Sequence, residues 1–464
     1  MDTGTPPNLP PHFGDIVPSL CLKAELGPPR SECGVGALMP WADRLWAVTY
    51  VSHKRATGVG TGLYEIDETL RLVNRPESRT GTYANRFVHY PSNQLIIGPH
   101  VIDAERKVRT VESLVDIRLT GTMRHLDDPE NKVYMLGMEG EFFELDLRDL
   151  ATRQIADLTD ELGINRRRVH FKAGYTQAGR VIVANNTYDE LEFTGQAADG
   201  RLAEWDGKRW TVLERVPFVE VTGRGGFAGT IFAMGWDRAS AILRVFTEHD
   251  GQWTRYRLPK ASNTYDHMWQ TEWPRIRETE HERYLMDCHG MFYELSPWAY
   301  RNRVWGVRPI SRHLCVLGDF CSFRGMLVLG SDNASPSMGN NHLAGEPQSG
   351  LWLGKTDDLW HFGKPSGWGG PWWGTPVNAG VPSDPYLMTG FEGKVAHLAH
   401  EASKPVSFTL EVDFLGDGSW REYAAFVVPA KGYVHHEFPG GFSAHWVRVT
   451  TDSDCIATAY FTYS

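Results

Sequence analysis

Seven segments of this chain share one pattern: a small residue, an apolar or aromatic run, then a polar turn that often leads into a second run. They begin at Gly62 (GLYEID), Gly98 (GPHVID), Gly140 (GEFFELD), Gly200 (GRLAEWDGKRW), Ser240 (SAILRVF), Gly290 (GMFYEL) and Gly350 (GLWLGKTDDLW). Self-similarity on this scale constrains the fold more than any short motif, because each unit can bury its apolar face only against its neighbours. The spacings sit at or somewhat above the ~40–50 residues of a four-stranded propeller blade, and the longer ones need loop insertions. Most of these segments follow another apolar run, such as NQLIIG, KVYMLGMEG, GRVIVANN, RYLMDCHG and GMLVLGSDN. Strand pairs repeated around an axis leave only short, protected edges. Helical periodicity is scarce, and 17 Trp and 47 Gly among 464 residues favour strands and turns. A single β-sandwich rarely needs a chain this long. The expected fold class is all-β, a seven-bladed β-propeller.

The proline-bearing residues 1–30 read as an extended arm. Residues 31–376 form the expected propeller, and 377–464 an antiparallel C-terminal β-module carrying VSFTLEVDF, REYAAFVVP, KGYVHHEF and AHWVRVTT. Such a module either docks on the ring or completes its last blade. Between them, GKPSGWGGPWWGTP (363–376) lacks strand alternation and reads as a loop packed by its own indoles or as a lid. Lys and Arg total 47 against 57 Asp and Glu, a net charge of −10, with no basic tract that would suit nucleic acid. No apolar run reaches the ~18–20 residues that span a membrane. The N-terminus does not have the form of a signal peptide, so the expected compartment is the cytoplasm unless a signal has been removed. Six cysteines are too sparse for a disulfide framework and read as free thiols.

Two places after the small residue, the repeats carry Tyr64, His100, Phe142, Leu202, Ile242, Phe292 and Trp352. One histidine among six apolar residues is either a buried, satisfied imidazole or a side chain aimed at a central cavity. One place earlier, Arg201 is the only cation, and pairing with Glu204 on a surface strand is the plainer reading. His125 closes a strand in MRHLDDPENKVYMLGMEG, and Tyr188 lies in the polar loop NNTYDE. Two histidines, a tyrosine and an arginine suit β-elimination at a uronide. An arginine neutralises the carboxylate, a base removes the C5 proton, and an acid protonates the oxygen leaving from C4. No nucleophile or cofactor is required for that chemistry. The chain has no G-x-S-x-G elbow and no P-loop, and GRGGFAG (223–229) opens no helix.

The segments RTGTYANRFVHYPSNQLIIGPHVID, MRHLDDPENKVYMLGMEG, GRLAEWDGKRW, MDCHGMFYEL and QSGLWLGKTDDLWHFGKPSGWGGPWW resemble the seven-bladed propeller lyases of uronate glycans. These are the ulvan lyases and the L-rhamnose-α-1,4-D-glucuronate lyases, and the resemblance runs from about residue 30 to the C-terminus. It implies a polysaccharide lyase acting on an acidic polysaccharide or oligosaccharide, with catalytic His100, His125, Tyr188 and Arg201. Asn85, Arg86, His89 and Asn186 would be sugar contacts, and Asn185 a further one. A structural zinc, which some members of that group hold, is considered at His267, His289, His313 and Cys321, although their spacing fits no compact zinc signature.

Two rival readings stand beside the lyase. One is a glycoside hydrolase on the same scaffold, which needs a carboxylate pair across the bond. Asp127, Asp128 and Asp266 supply no obvious pair. The other is a non-catalytic carbohydrate-binding propeller in which Trp269, Trp273 or the tryptophans of 368–373 stack on sugars.

Overall fold

The computed structural model describes residues 20–23, 33–51, 62–187, 199–225, 229–262, 273–301, 303–313, 316–333 and 348–464. Seven four-stranded antiparallel blades follow one another along the chain. Their innermost strands are Cys33–Trp41, Arg86–His89, Leu119–Arg124, Phe171–Gln177, Phe218–Gly223, Arg275–Glu280 and Leu317–Phe323. Each of these touches the next around a closed ring. The seven repeat segments all become third strands: Leu63–Ile66, His100–Ile102, Glu141–Asp146, Arg201–Trp205, Ala241–Thr247, Met291–Leu295 and Gln348–Gly354. The expected seven-bladed propeller is therefore the observed architecture.

The periodicity has a packing cause. Tyr64, His100, Phe142, Leu202, Ile242, Phe292 and Trp352 are each at most 3% exposed, so the shared position faces the layer between blades in every repeat. Where inner strands meet most closely, only glycine fits. A Cβ on Gly36 would lie 1.8 Å from the Tyr83 carbonyl oxygen, and one on Gly318 would lie 1.8 Å from that of Val35.

The ring is closed by the N-terminal segment. Leu20–Lys23 pairs antiparallel with Gln348–Gly354 and supplies the outermost strand of blade 7. Part of the expected extended arm is thus a strand, and the backbone groups along the last edge gain partners.

The C-terminal module contains two further sheets. In one, Gly367–Val377, Cys455–Tyr463, Lys394–His400 and Tyr433–Glu437 lie side by side. The stretch read as a loop or lid at 363–376 is therefore largely a strand, its register irregular where Gly369, Pro371 and Gly374 interrupt the alternation. The other sheet, Tyr386–Leu387, Trp446–Thr451, Val406–Asp413 and Arg421–Val428, continues blade 5 through a parallel pairing of Arg257 with Tyr386. One hydrophobic core runs from blades 5 and 6 into the module, joining Phe232, Leu258 and Tyr293 to Tyr386, Phe408 and Phe461. No helix among the described residues is long and apolar enough to cross a membrane.

Candidate functional site

Antiparallel strands reverse at every turn, so each blade has two ends. At the top, inner strands begin and second strands turn into third strands. At the bottom, inner strands end and third strands turn into fourth strands. A six-residue strand such as Leu119–Arg124 separates the two faces by about 20 Å.

This geometry divides three of the four residues expected to catalyse elimination. His100 and Arg201 open third strands and belong to the top, whereas His125 follows the inner strand of blade 3 and belongs to the bottom. Tyr188 and His267 lie outside the described residues. His100 is fully buried, its Nδ1 3.1 Å from the Thr110 hydroxyl on the neighbouring strand and its Nε2 without a partner among the described residues. Burial, with a smaller contribution from Arg79, lowers its pKa to about 3, so the ring is neutral.

Arg201 donates to the carbonyls of Leu162 and Gly163 at 3.3 Å each and to that of Gly200 at 2.7 Å. The first two end the short helix Leu158–Leu162, so this guanidinium acts as a helix C-terminal cation. His125 accepts the backbone N–H groups of Asp127 and Asp128 on Nδ1 and donates from Nε2 to Glu144 at 2.9 Å. It stacks on Tyr134, 4.3 Å between centroids, beside a 430 Å³ pocket that also holds Trp205 and Trp210.

The expected sugar contacts also divide. Asn85 and Arg86 reach the axis, but His89 ends its inner strand at the bottom face, bonded to Ser92 at 2.6 Å and to the Pro129 carbonyl at 2.8 Å. Asn186 is buried, its Oδ1 accepting the Thr187 N–H, and Asn185 joins the His170 N–H to the Asp199 carbonyl. Of the residues considered for zinc, His313 pairs with Asp287 at 3.0 Å. His289 is fully buried in a tight turn, and burial raises the Cys321 thiol to about 12. Among the described residues, no three His, Cys, Asp or Glu side chains converge as a metal set. Trp273 is 3% exposed, with the Lys172 ammonium 4.0 Å and the Arg275 guanidinium 5.0 Å from its ring centroid.

What the fold assembles instead is a charged cavity of about 160 Å³ at the top of the axis. It is lined by the beginning and middle of five inner strands, with Asn85 and Arg86 from blade 2, Thr120 and Thr122 from blade 3, and Lys172 and Tyr175 from blade 4. Glu220 comes from blade 5, and Arg275 and Arg277 from blade 6. Behind them Asp319 of blade 7, fully buried, accepts the Leu38 N–H at 2.8 Å and Arg277 Nε at 2.8 Å and forms an ion pair with Arg86 Nε at 3.0 Å. Arg277 also reaches Glu220 at 3.2 Å. Arg275 donates to the carbonyls of Gly318 and Pro274 at 2.9 Å each and stands 3.6 Å from Glu220. Arg86 is anchored further by the carbonyls of Leu38 and Phe320.

The two carboxylates respond oppositely to this setting. Burial pushes both upward, but Arg277, Arg86 and Arg275 together outweigh it at Asp319 and hold that group below its usual range. At Glu220, burial outweighs Arg277 and Arg275, and Asp319 adds to the rise. The sequence reading named Asn85 and Arg86 but missed Lys172, Glu220, Arg275, Arg277 and Asp319. Their signal was a charge near the start of an inner strand, visible in FKAGY, FVEVT, PRIRE and GDFCS once the blades are in register.

No protein-family model matches the chain, and no curated protein matches it. Among solved structures it is similar to the propeller domain of Myceliophthora thermophila Cps50 (Swd1). That match has a TM-score of 0.41 at 12% identity and covers 64% of this chain and 96% of that one. U3-55K matches with a TM-score of 0.41 at 10% identity, covering 74% and 100%, and the WD40 repeats of RRP9 with 0.39 at 8%, covering 72% and 99%. With His100 and Arg201 at one face of the ring and His125 at the other, the assignment to the uronate lyases is withdrawn. The polysaccharide-lyase activity and the acidic-polysaccharide partner that rested on it are withdrawn with it.

Proposed function

We propose that this protein is a non-catalytic binding propeller whose ligand is held at the top of the axis. The observation that carries the reading is the buried charge cluster in which Arg86, Arg275 and Arg277 are fixed by Asp319, Glu220 and backbone carbonyls of blades 1, 6 and 7. Burying so many charges contributes little net stability, because desolvation offsets attraction. Such a cluster is better suited to presenting oriented donors at a fixed place.

The same groups make poor proton-transfer agents. Arginines stay charged, burial raises Tyr175 to about 12, and Glu220 is engaged by two guanidinium groups. Neither a histidine nor a carboxylate pair with room for water between its members lines the cavity among the described residues.

The test is incubation with gum arabic and with ulvan, following both near-ultraviolet absorbance from unsaturated uronate and new reducing ends. Both signals are expected to stay at the blank level. A rise in absorbance would restore elimination, and new reducing ends without absorbance would establish hydrolysis.

A further inference from the structure

We propose that the axial cavity is a receptor for a small carboxylate that carries an N–H or O–H donor on the adjoining atom, an amino or hydroxy acid. The inference rests on the binding reading above. The cavity brings the cations Arg86, Arg275, Arg277 and Lys172 together with one carboxylate, Glu220, among its described lining residues, and with Asp319 behind. A guanidinium has five N–H donors, and a planar fork suits a carboxylate. Lys172 and Arg275 both stand over the ring of Trp273, at 4.0 and 5.0 Å from its centroid, which helps hold the two cations in place.

A simple anion would not complete the site. Asn85, 1% exposed, donates from Nδ2 to the Gly98 carbonyl at 3.0 Å and to the Thr122 hydroxyl at 2.9 Å, and this sets the orientation of its amide. Its Oδ1 is buried and has no partner among the described residues, and neither has the hydroxyl of Thr120, 4% exposed. An amide oxygen can only accept, so it repels an anion and calls for a donor. A molecule that satisfies both sides carries its carboxylate toward the guanidinium groups and its hydroxyl or amino group toward Asn85. Size narrows the class further. At about 160 Å³ the cavity compares with protein cavities of about 150 Å³ that accept a benzene-sized molecule. That is room for a two- to four-carbon acid.

The test is titration calorimetry of the full chain with lactate, with alanine, and with propionate, which has the same frame and no donor. Lactate or alanine is expected to bind about tenfold more tightly than propionate, the factor expected for a well-made hydrogen bond in a dry site. Thr120→Val and Asn85→Ala should each shrink that ratio toward one while leaving propionate affinity within about twofold. Thr120→Val is nearly isosteric, so it keeps the comparison interpretable if Asn85→Ala unfolds. Equal binding of all three acids, or no binding of any at millimolar concentration, overturns the inference and leaves the binding propeller standing. Unsaturated product from a glycan would overturn the underlying reading instead.

Discussion

His100 shows at a single residue how one sequence oddity supports two opposite readings. Its repeat position is a core position in all seven blades, and the imidazole stays there neutral, bonded on one side to Thr110. The consequence is a pH dependence whose sign follows from the lowered pKa. The folded state keeps this ring unprotonated down to about pH 3, whereas an unfolded histidine takes up a proton near 6.5. The stability conferred by the neutral ring is therefore present in full above pH 6.5 and is lost as pH falls from there toward 3. Between pH 6.5 and 5 the loss amounts to about 2 kcal/mol. His100→Leu, which installs the residue found at Leu202, should remove that dependence. Urea melts at pH 7 and pH 5 check it, and an unchanged difference between the two pH values would mean that the ring protonates in the folded state.

At the scale of elements, strand order and blade count were legible in the sequence because packing between blades imposes one buried position per repeat. Two other features were not. Leu20–Lys23 is too short to show alternation, and its role comes only from the exposed edge of Gln348–Gly354, far along the chain. Gly367–Val377 hides its strand character behind glycines and proline, which the facing strand Cys455–Tyr463 tolerates through register shifts. The site was legible only in part, since Asn85 and Arg86 lie within the segment RTGTYANRFVHYPSNQLIIGPHVID, whereas Arg275, Arg277 and Asp319 become neighbours only when the ring closes.

Two predictions belong here. Deleting residues 1–23 should lower the melting temperature and promote self-association, because it leaves the ladder groups of the last blade unpaired. Equal melting and a monomeric elution profile would contradict that. Gly318→Ala should destabilise by at least the ~1–3 kcal/mol typical of overpacking, since the new methyl meets backbone that cannot rotate away. Denaturant melts of the variant against Gly325→Ala measure it. A Cβ at Gly325 meets nothing within 4 Å, so Gly325→Ala reports the cost of a positive φ alone.

For the whole molecule, the shared core makes propeller and module one cooperative unit. Arg257, on the outer strand of blade 5, binds Asp237 at 2.8 Å and Asp384 of the module at 2.9 Å, and its N–H meets the Pro385 carbonyl at 2.9 Å. Trp446 packs against Tyr256, 4.8 Å between centroids, and Tyr386 is fully buried between the two parts. Blades 5 and 6 are also the blades that supply Glu220, Arg275 and Arg277, so the module buttresses the half of the ring that carries most of the axial charge. Scanning calorimetry should accordingly give one transition with no separate module peak. Tyr386→Ala should lower that single transition, by about 3–5 kcal/mol at the scale of large aromatic deletions. A chain ending at Ser366 should be insoluble, because Leu258, Tyr293 and their neighbours would face water as one apolar patch. Two resolved transitions, or a soluble truncated ring that still binds a small carboxylate, would show that the module only rests on the propeller and that the axial site stands without it.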